Sequence, residues 1–209
     1  MKPVAPSIVD LHIGDEPQVW ENLGFRVENK RCRVGTIDLV FTQGSKGSGI
    51  HSWVLRNAKF PNFGSIKTMS QDSKSVERAL DHPNGCFGID HVVLRVPEFS
   101  GGRIALEKIG ALVAEPAPIS ESEPTILRST VNMGEAVLEL IGPKQLDPFA
   151  DWLLWGLVMS VREVDACAEL LGSAVGGVKP AVQKNKCITT VRKEAGSSVA
   201  MAFLGPPTK

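Results

Sequence analysis

The sequence predicts an α+β protein built from repeated βαβββ modules, which pair into cupped mixed sheets, with a degenerate module at the N-terminus. Three observations support this fold class. Bulky apolar segments typical of strands recur along the 209 residues, and three times such a segment is followed by a short amphipathic segment that ends at glycine. Two of the later strand segments both close with Gly-Pro. Because this order of elements occurs three times, the chain is read as three modules.

The strands are identified by their content of β-branched and large apolar residues. Three segments are predicted as the first strands of modules: 50–56, 89–96 and 155–161. Two others, 132–143 and 198–206, are predicted as closing strands, since both end in Gly-Pro. Residues 33–42 resemble the first of these closing segments in their Val-Gly pair.

The helices are identified by the period of their apolar residues. In 164–172 and in 102–110, small or apolar residues fall at i, i+3, i+4 and i+7, and a glycine follows as the helix stop. In 17–24 a proline occupies a position suited to a first helical turn, and a glycine again closes the segment.

These elements divide the chain into four parts. Residues 1–60 are predicted to form a degenerate N-terminal module and 61–85 a loop or linker, which includes a serine-rich stretch at 65–75. Residues 86–145 and 152–207 are predicted to be complete modules related by a near two-fold axis. Residues 49–57 read as the first strand of a fourth module that is not completed. Pairing two modules covers the bare face of each sheet or encloses a cavity.

Composition excludes several classes of function. The 23 basic and 23 acidic residues balance, so we expect neither nucleic acid nor a membrane surface as a partner. The longest uncharged apolar run, 152–161, is about half of a bilayer span. The first residues lack the apolar stretch of a secretory signal, which predicts a cytoplasmic protein.

The four cysteines form no close pair, so we expect reduced thiols rather than a zinc cage.

One segment resembles a known family. Residues 88–97 (Gly-Ile-Asp-His-Val-Val-Leu-Arg-Val-Pro), followed by a helix and by 137–143 (Val-Leu-Glu-Leu-Ile-Gly-Pro), resemble the vicinal oxygen chelate superfamily. That superfamily includes glyoxalase I, extradiol dioxygenases, methylmalonyl-CoA epimerase and bleomycin-resistance proteins. The resemblance is strongest over 86–145, weaker over 152–207 and weakest over 1–60.

The resemblance implies a metal site in the cup between paired modules. Its enzymes hold two neighbouring oxygens of a substrate on one divalent metal ion (Zn, Fe, Mn, Ni or Mg). A histidine of a first strand and a glutamate of a last strand are typical ligands. The matching positions here are His91 and Glu139, and the resemblance also implies a catalytic role for Glu139.

Strand alternation supports the same pair independently of the resemblance. Side chains alternate between the two faces of a strand, so His91 shares a face with Val93 and Arg95, opposite the face expected to pack under the helix. Glu139 has apolar neighbours, and a carboxylate in such surroundings needs a partner, a proton or a metal ion. At the cup end of its strand, Arg95 is predicted to bind an anionic substrate.

The last module departs from the family pattern. Gly156 is aligned with His91 and Ala202 with Glu139, and neither can bind a metal. Two protein ligands are too few for a tight zinc site. Three alternatives stay open: Asp38 with Asp10 or His12 completes the site, another subunit does so, or no metal is bound.

Three hypotheses of function follow from these alternatives. The first is a glyoxalase-like enzyme, a metal-dependent lyase, isomerase or oxygenase, that acts on a small oxygen-rich molecule. The second is a metal-free binding or sequestration protein similar to bleomycin-resistance proteins, with an apolar pocket between modules. The ligand count favours the second, and a scaffold whose site has decayed is the third alternative. For the first two hypotheses we expect a small-molecule ligand. The sequence does not identify the substrate, and a homodimer is possible.

Overall fold

The structure is a computed structural model that describes residues 5–42, 49–59, 61–71 and 80–207. The N-terminal half contains β1 (Ser7–Ile13), α1 (Pro17–Asn22), β2 (Arg31–Val34), β3 (Ile37–Phe41), β4 (Ile50–Arg56) and β5 (Lys67–Ser70). The C-terminal half contains β6 (Cys86–Arg95), α2 (Phe99–Lys108), β7 (Ala117–Pro118), β8 (Ile126–Met133), β9 (Ala136–Pro143), β10 (Leu153–Val161), α3 (Val164–Leu171), β11 (Lys179–Pro180), β12 (Cys187–Thr190) and β13 (Ala200–Gly205).

The C-terminal half consists of two βαβββ modules of identical topology. In the first module β6 pairs in parallel with β9, and β8 and β7 follow as antiparallel neighbours. In the second module β10 pairs in parallel with β13, and β12 and β11 follow in the same way. The two modules join through their first strands, because β6 and β10 run antiparallel along their length. The predicted fold class is therefore confirmed.

The N-terminal half repeats this plan with fewer strands. β1 pairs in parallel with β3, and β2 is the antiparallel neighbour of β3. β4 lies antiparallel to β1, in the same way that β10 lies antiparallel to β6. β5 pairs in parallel with β4, in the same way that β13 pairs with β10. β4 and β5 therefore correspond to the first and last strands of the incomplete fourth module. A single residue pair, Leu154 with Ile50, joins β10 to β4, so the strands form one continuous sheet.

β5 lies inside the segment that its serines predict to be a linker. Tertiary contact explains the difference, because Trp53 Nε1 donates a hydrogen bond of 2.6 Å to Thr68 Oγ1 and holds this segment against β4. The indole of Trp53 is fully buried and packs edge-on against Phe63. Residues 72–79, which include the last part of the serine-rich stretch (72–75), lie outside the described residues.

The core lies between the sheet and its short helices. Trp20 of α1 contacts Phe25 and Phe41 with ring centroids 5.2 and 5.5 Å apart. In α2, a β-carbon added at Gly102 would lie 2.8 Å from Leu140 Cδ1, so glycine lets this helix approach β9 closely. In the described part of the chain, no helix is both long enough and apolar enough to cross a membrane.

The four cysteines are free thiols, and three of them belong to the core. Cys32, Cys86 and Cys167 are buried, whereas Cys187 is partly exposed. Burial raises the pKa of Cys86 and of Cys167 to about 12. These two thiols are therefore held in the protonated, weakly reactive form.

His82 is a buried structural residue beside the start of the C-terminal half. Its side chain is bonded on both ring nitrogens: Nδ1 accepts from the Arg26 N–H at 3.1 Å, and Nε2 donates to the Arg33 carbonyl at 3.0 Å. The ring also packs edge-on against Phe25. Burial lowers the pKa of His82 below its ordinary value of 6.5 and outweighs the hydrogen bond to the Arg33 carbonyl, which raises the pKa; smaller effects come from Arg26, which lowers it, and Asp81, which raises it.

We expect stability to decrease as the pH falls from 7 to 5. A histidine whose pKa is lower in the folded state binds a proton more readily when unfolded, so its stabilisation is complete above pH 6.5 and is lost below it. Burial also lowers the pKa of His12 and His51, which act in the same direction. His82→Gln, which cannot keep both hydrogen bonds, should lose about 1–2 kcal/mol at pH 7.

Urea unfolding at pH 7.0 and 5.5 tests this expectation. The difference between the two unfolding free energies should be smaller in His82→Gln than in the parent chain. The decrease of this difference should be smaller in His51→Gln than in His82→Gln, because the His51 ring is more exposed. An unchanged pH dependence in His82→Gln would show that His82 is not buried as a neutral ring.

Candidate functional site

A cleft of about 600 Å³ lies between the two C-terminal modules and is called the C-terminal cleft below. One wall is polar and is formed by β6, β8 and β9. The second wall is apolar and is formed by β10, β12 and β13, and residues of β11 and of the β11–β12 connection complete the lining. The polar wall contains His91, Arg128 and Glu139, the apolar wall contains Val158, Ile188 and Leu204, and the rest of the lining contains Lys179, Pro180, Ala181, Val182 and Gln183.

His91 and Glu139 face each other across two neighbouring strands. Val93 is the register partner of Glu139, and His91 lies two residues away on the same face. His91 Nε2 is 3.9 Å from Glu139 Oε2, and each side chain is only 20% exposed. The structure therefore brings together the two residues that the sequence singled out, at a distance longer than a hydrogen bond.

Arg128 is a further polar residue of this wall that the sequence did not reveal. It lies on β8, whose Thr130 is the register partner of Glu139, so Arg128 is the diagonal neighbour of Glu139. Arg128 Nη1 is 3.7 Å from Glu139 Oε1. This is a long ion pair rather than a hydrogen bond, and the guanidinium is about half exposed.

Asp90, at a bulge in β6, contacts His91 without itself lining the C-terminal cleft. His91 pairs with Val158 and Ile89 with Met159, so Asp90 is an extra residue without a register partner on β10. Asp90 Oδ2 lies 2.9 Å from His91 Nδ1, and Asp90 Oδ1 accepts from Lys186 Nζ at 3.2 Å. The hydrogen bond with His91, and then that with Lys186, hold the pKa of the Asp90 carboxyl below its usual range.

Arg95 lies elsewhere. It borders a second cleft of about 320 Å³, together with Asp147 and Asp151. It lies four positions after His91 on β6, which corresponds to about 13 Å along a strand. The structure thus does not place Arg95 in the C-terminal cleft, and its role in binding a substrate stays a prediction.

The positions related by pseudo-symmetry supply no metal ligand. Val93 lies beside Glu139 and Val158 lies beside Ala202, which makes Ala202 the counterpart of Glu139. Gly156 lies two residues before Val158, as His91 lies two residues before Val93, so Gly156 is the counterpart of His91. A β-carbon at Gly156 would lie 2.5 Å from the Ala200 carbonyl oxygen, so this position is closed to any side chain.

The N-terminal half does not complete the site. Asp38 forms ion pairs with Arg31 and Arg33 on β2, and Asp38, Asp10 and His12 are all absent from the lining of the C-terminal cleft. Across the described ranges, no three His, Cys, Asp or Glu side chains are grouped so that they could hold a metal ion. A resident zinc centre takes three or four protein ligands. The residues present therefore do not fit the metal centre that the resemblance implies.

The other two histidines lie in the N-terminal half. His12 on β1 and His51 on β4 have ring centroids 6.2 Å apart and meet edge-on. His51 Nε2 is 2.8 Å from Thr42 Oγ1. These rings form a separate polar cluster, and they do not border the C-terminal cleft.

Solved structures share this fold. A mutant of 4-hydroxymandelate synthase from Streptomyces coelicolor superposes with a TM-score of 0.64 at 14% identity, over 97% of this chain and 93% of that one. A xylose isomerase-like TIM barrel/4-hydroxyphenylpyruvate dioxygenase fusion protein gives 0.59 at 9% identity, over 99% of this chain and 50% of that one. Methylmalonyl-CoA epimerase from Mycobacterium tuberculosis gives 0.46 at 17% identity, over 59% and 91%.

The first two of these likenesses show the fold of nearly the whole chain, and it is the vicinal oxygen chelate fold that the resemblance of the central segment implies. No family model matches the sequence, and no curated protein matches it. At these levels of identity the comparison extends to the fold alone, so function has to be argued from the C-terminal cleft.

Proposed function

We propose that the chain binds a small anionic, oxygen-rich molecule in the C-terminal cleft, without a tightly held metal ion. The observation that carries this proposal is the composition of the cleft walls. Arg128 and Lys179 contribute two positive charges and Glu139 one negative charge. The excess of positive charge favours an anion, and a guanidinium is well suited to a planar carboxylate.

The apolar wall defines the other half of the ligand. Val158, Ile188 and Leu204 of the paired module line the cleft beside the polar wall. A cavity of this volume is within the range of sites for small organic molecules, which combine apolar walls with a few placed polar groups. A carboxylate that carries a compact apolar tail would contact both walls at once.

The donor set supports metal-free binding over metal-dependent chemistry. The fold family implies a lyase, isomerase or oxygenase that uses a divalent metal, and such a centre needs more ligands than His91 and Glu139 provide. Glu139 as a group that moves a proton in a bound ligand stays a prediction. The free thiols of Cys32, Cys86, Cys167 and Cys187 favour a reducing compartment such as the cytoplasm.

Calorimetric titration of the chelator-treated chain with branched-chain carboxylates tests the proposal. We expect binding that is unchanged by EDTA and weakened about tenfold or more in Arg128→Gln, since charge-assisted hydrogen bonds are lost. Arg103→Gln is the matched control: Arg103 lies on α2 and pairs with Glu107, away from the cleft. Its affinity should equal that of the parent chain.

Two results would overturn the proposal. One is an equal loss of affinity in both arginine variants, which would indicate a general charge effect. The other is one equivalent of metal in protein purified without chelator, together with loss of ligand binding on its removal. That second result would restore the metal-dependent enzyme hypothesis.

A further inference from the structure

We propose that the N-terminal half contains a second ligand site, in which Ser52, His12 and Lys67 bind a phosphate group. This site is separate from the C-terminal cleft, so the inference goes beyond the proposed function and does not depend on it. Three observations carry it: the register of the N-terminal strands, a buried hydroxyl that has no partner, and an excess of positive charge on one face of the sheet.

The register places the three side chains in one row across the sheet. His12 on β1 pairs with Ser52 on β4, and Ser52 pairs with Lys67 on β5. Register partners share a face, and neighbouring strands are about 4.8 Å apart, so one small ligand can contact all three side chains. The indole of Trp53 is on the opposite face of β4 and is buried in the core.

The hydroxyl of Ser52 is the observation that points to a ligand. Ser52 is only 1% exposed, and its Oγ forms no hydrogen bond with any described residue. Further along the same face of β4, Arg56 Nε is buried without a hydrogen-bond partner in the described part of the chain. Buried polar groups are rarely left unpaired in proteins, because the cost is high. A bound ligand that accepts hydrogen bonds would remove this cost.

The same face carries an excess of positive charge. Arg31 and Arg33 on β2 form ion pairs with Asp38, and Asp10 contributes a second carboxylate next to Asp38 in the register. These four charges balance. Lys67 is exposed and forms no ion pair within the described ranges, so its charge is left over and favours an anion beside Ser52.

His12 supplies a further donor whatever its charge. A neutral imidazole carries one N–H and an imidazolium carries two, and no hydrogen bond joins the His12 ring to another described residue. His51, the extra residue of a bulge in β4, meets this ring edge-on and is itself bonded to Thr42. We therefore place His51 at the border of the site and not among its donors.

This set of donors suits a phosphate better than a carboxylate. A planar carboxylate is matched best by the fork of an arginine, whereas a lysine binds phosphate as a point charge. Phosphate oxygens point in several directions, so they can accept from a hydroxyl, a ring N–H and an ammonium on three neighbouring strands. Because Lys67 is exposed, the rest of a phosphate ester has room on its side of the site.

Proton NMR of the four histidine rings locates the binding. Titration with inorganic phosphate at pH 7 should shift the His12 signals and saturate with a Kd of about 1 mM. The His91 signals report separately on the C-terminal cleft. Both sets of signals are assigned with His12→Gln and His91→Gln. Sodium chloride at the same ionic strength is the control for screening and should not shift His12.

Variants test each donor. Lys67→Gln should weaken phosphate binding at His12 about tenfold, and Ser52→Ala about fivefold, because each loses a hydrogen bond to a charged group. Ser52→Ala should unfold at the same urea concentration as the parent chain, since its hydroxyl has no partner in the protein to lose. Lys108→Gln, which removes an exposed lysine from α2, is the matched control and should keep the parent affinity.

Matched anions test the ligand class. Methyl phosphate should bind within about twofold of inorganic phosphate, which would assign the site to phosphate esters as well as to the free ion; binding of the free ion alone would assign it to inorganic phosphate. Acetate should bind at least about tenfold more weakly than either.

Four results would overturn the proposal. They are a His12 signal that shows no saturable shift, a shift of His91 alone, equal affinities in Lys67→Gln and Lys108→Gln, and acetate that binds as tightly as phosphate. The second of these would place the anion in the C-terminal cleft, so it would leave the proposed function standing while removing this site.

Discussion

Replacing Asp15 with alanine is expected to lower the free energy of unfolding by about 3–5 kcal/mol, from the loss of several charge-assisted hydrogen bonds. Asp15 follows β1 and is only 6% exposed. Its Oδ2 accepts from Trp20 Nε1 at 3.0 Å and from Ser197 Oγ at 2.9 Å. Its Oδ1 accepts from the backbone N–H of Ser198 at 3.0 Å and from the hydroxyl of Ser198 at 2.5 Å.

The expected effect is large because one carboxylate joins the two ends of the chain. Ser197 and Ser198 precede β13, so these bonds connect the N-terminal half to the last module. Trp20 is fully buried, and without Asp15 its indole N–H would stay in the core without an acceptor. A buried donor left unsatisfied costs about 1–3 kcal/mol by itself.

Urea unfolding at pH 7 measures the effect. Asp15→Asn keeps one acceptor oxygen and should lose less than Asp15→Ala. Glu21→Ala removes an exposed carboxylate from α1, so it should change the unfolding free energy by less than about 0.5 kcal/mol. If Asp15→Ala were as stable as Glu21→Ala, Asp15 would not connect the two halves as the structure shows.

Much of the fold could be predicted because its signals are local. The apolar period and the terminal glycine of α3 lie within one short segment, and the observed helix Val164–Leu171 ends where that segment predicts. The closing strands β9 and β13 likewise end at the Gly-Pro and Gly positions read from the sequence. β5 was missed because a distant tryptophan, not its own serine-rich composition, holds it in the sheet.

The site was predictable only where strands are regular. His91 and Glu139 follow the two-residue alternation of β6 and β9, so the sequence places both on one face. Asp90 should lie on the opposite face of a regular strand, and only the bulge in β6 brings it beside His91. Arg128 comes from β8, whose register with β9 no local pattern indicates.

Gly156→Ala is expected to destabilise the chain by about 2–3 kcal/mol, because the position has no room for a side chain. The added β-carbon would lie 2.5 Å from the Ala200 carbonyl oxygen and 3.1 Å from Ala200 Cβ, closer than van der Waals contact allows. Both contacts belong to the backbone or the short side chain of β13, so relief requires β10 and β13 to separate. Gly156→His, which would supply the missing metal ligand, should cost still more.

Gly177→Ala is the matched control, since a β-carbon there meets nothing within 4 Å. It should change the unfolding free energy by less than about 0.5 kcal/mol in the same urea titration. If Gly156→Ala were equally harmless, the two strands would be further apart than they are in the structure, and Gly156→His could then complete a metal site with His91 and Glu139. With the expected loss, the close contact of β10 and β13 itself excludes a metal-binding side chain at position 156.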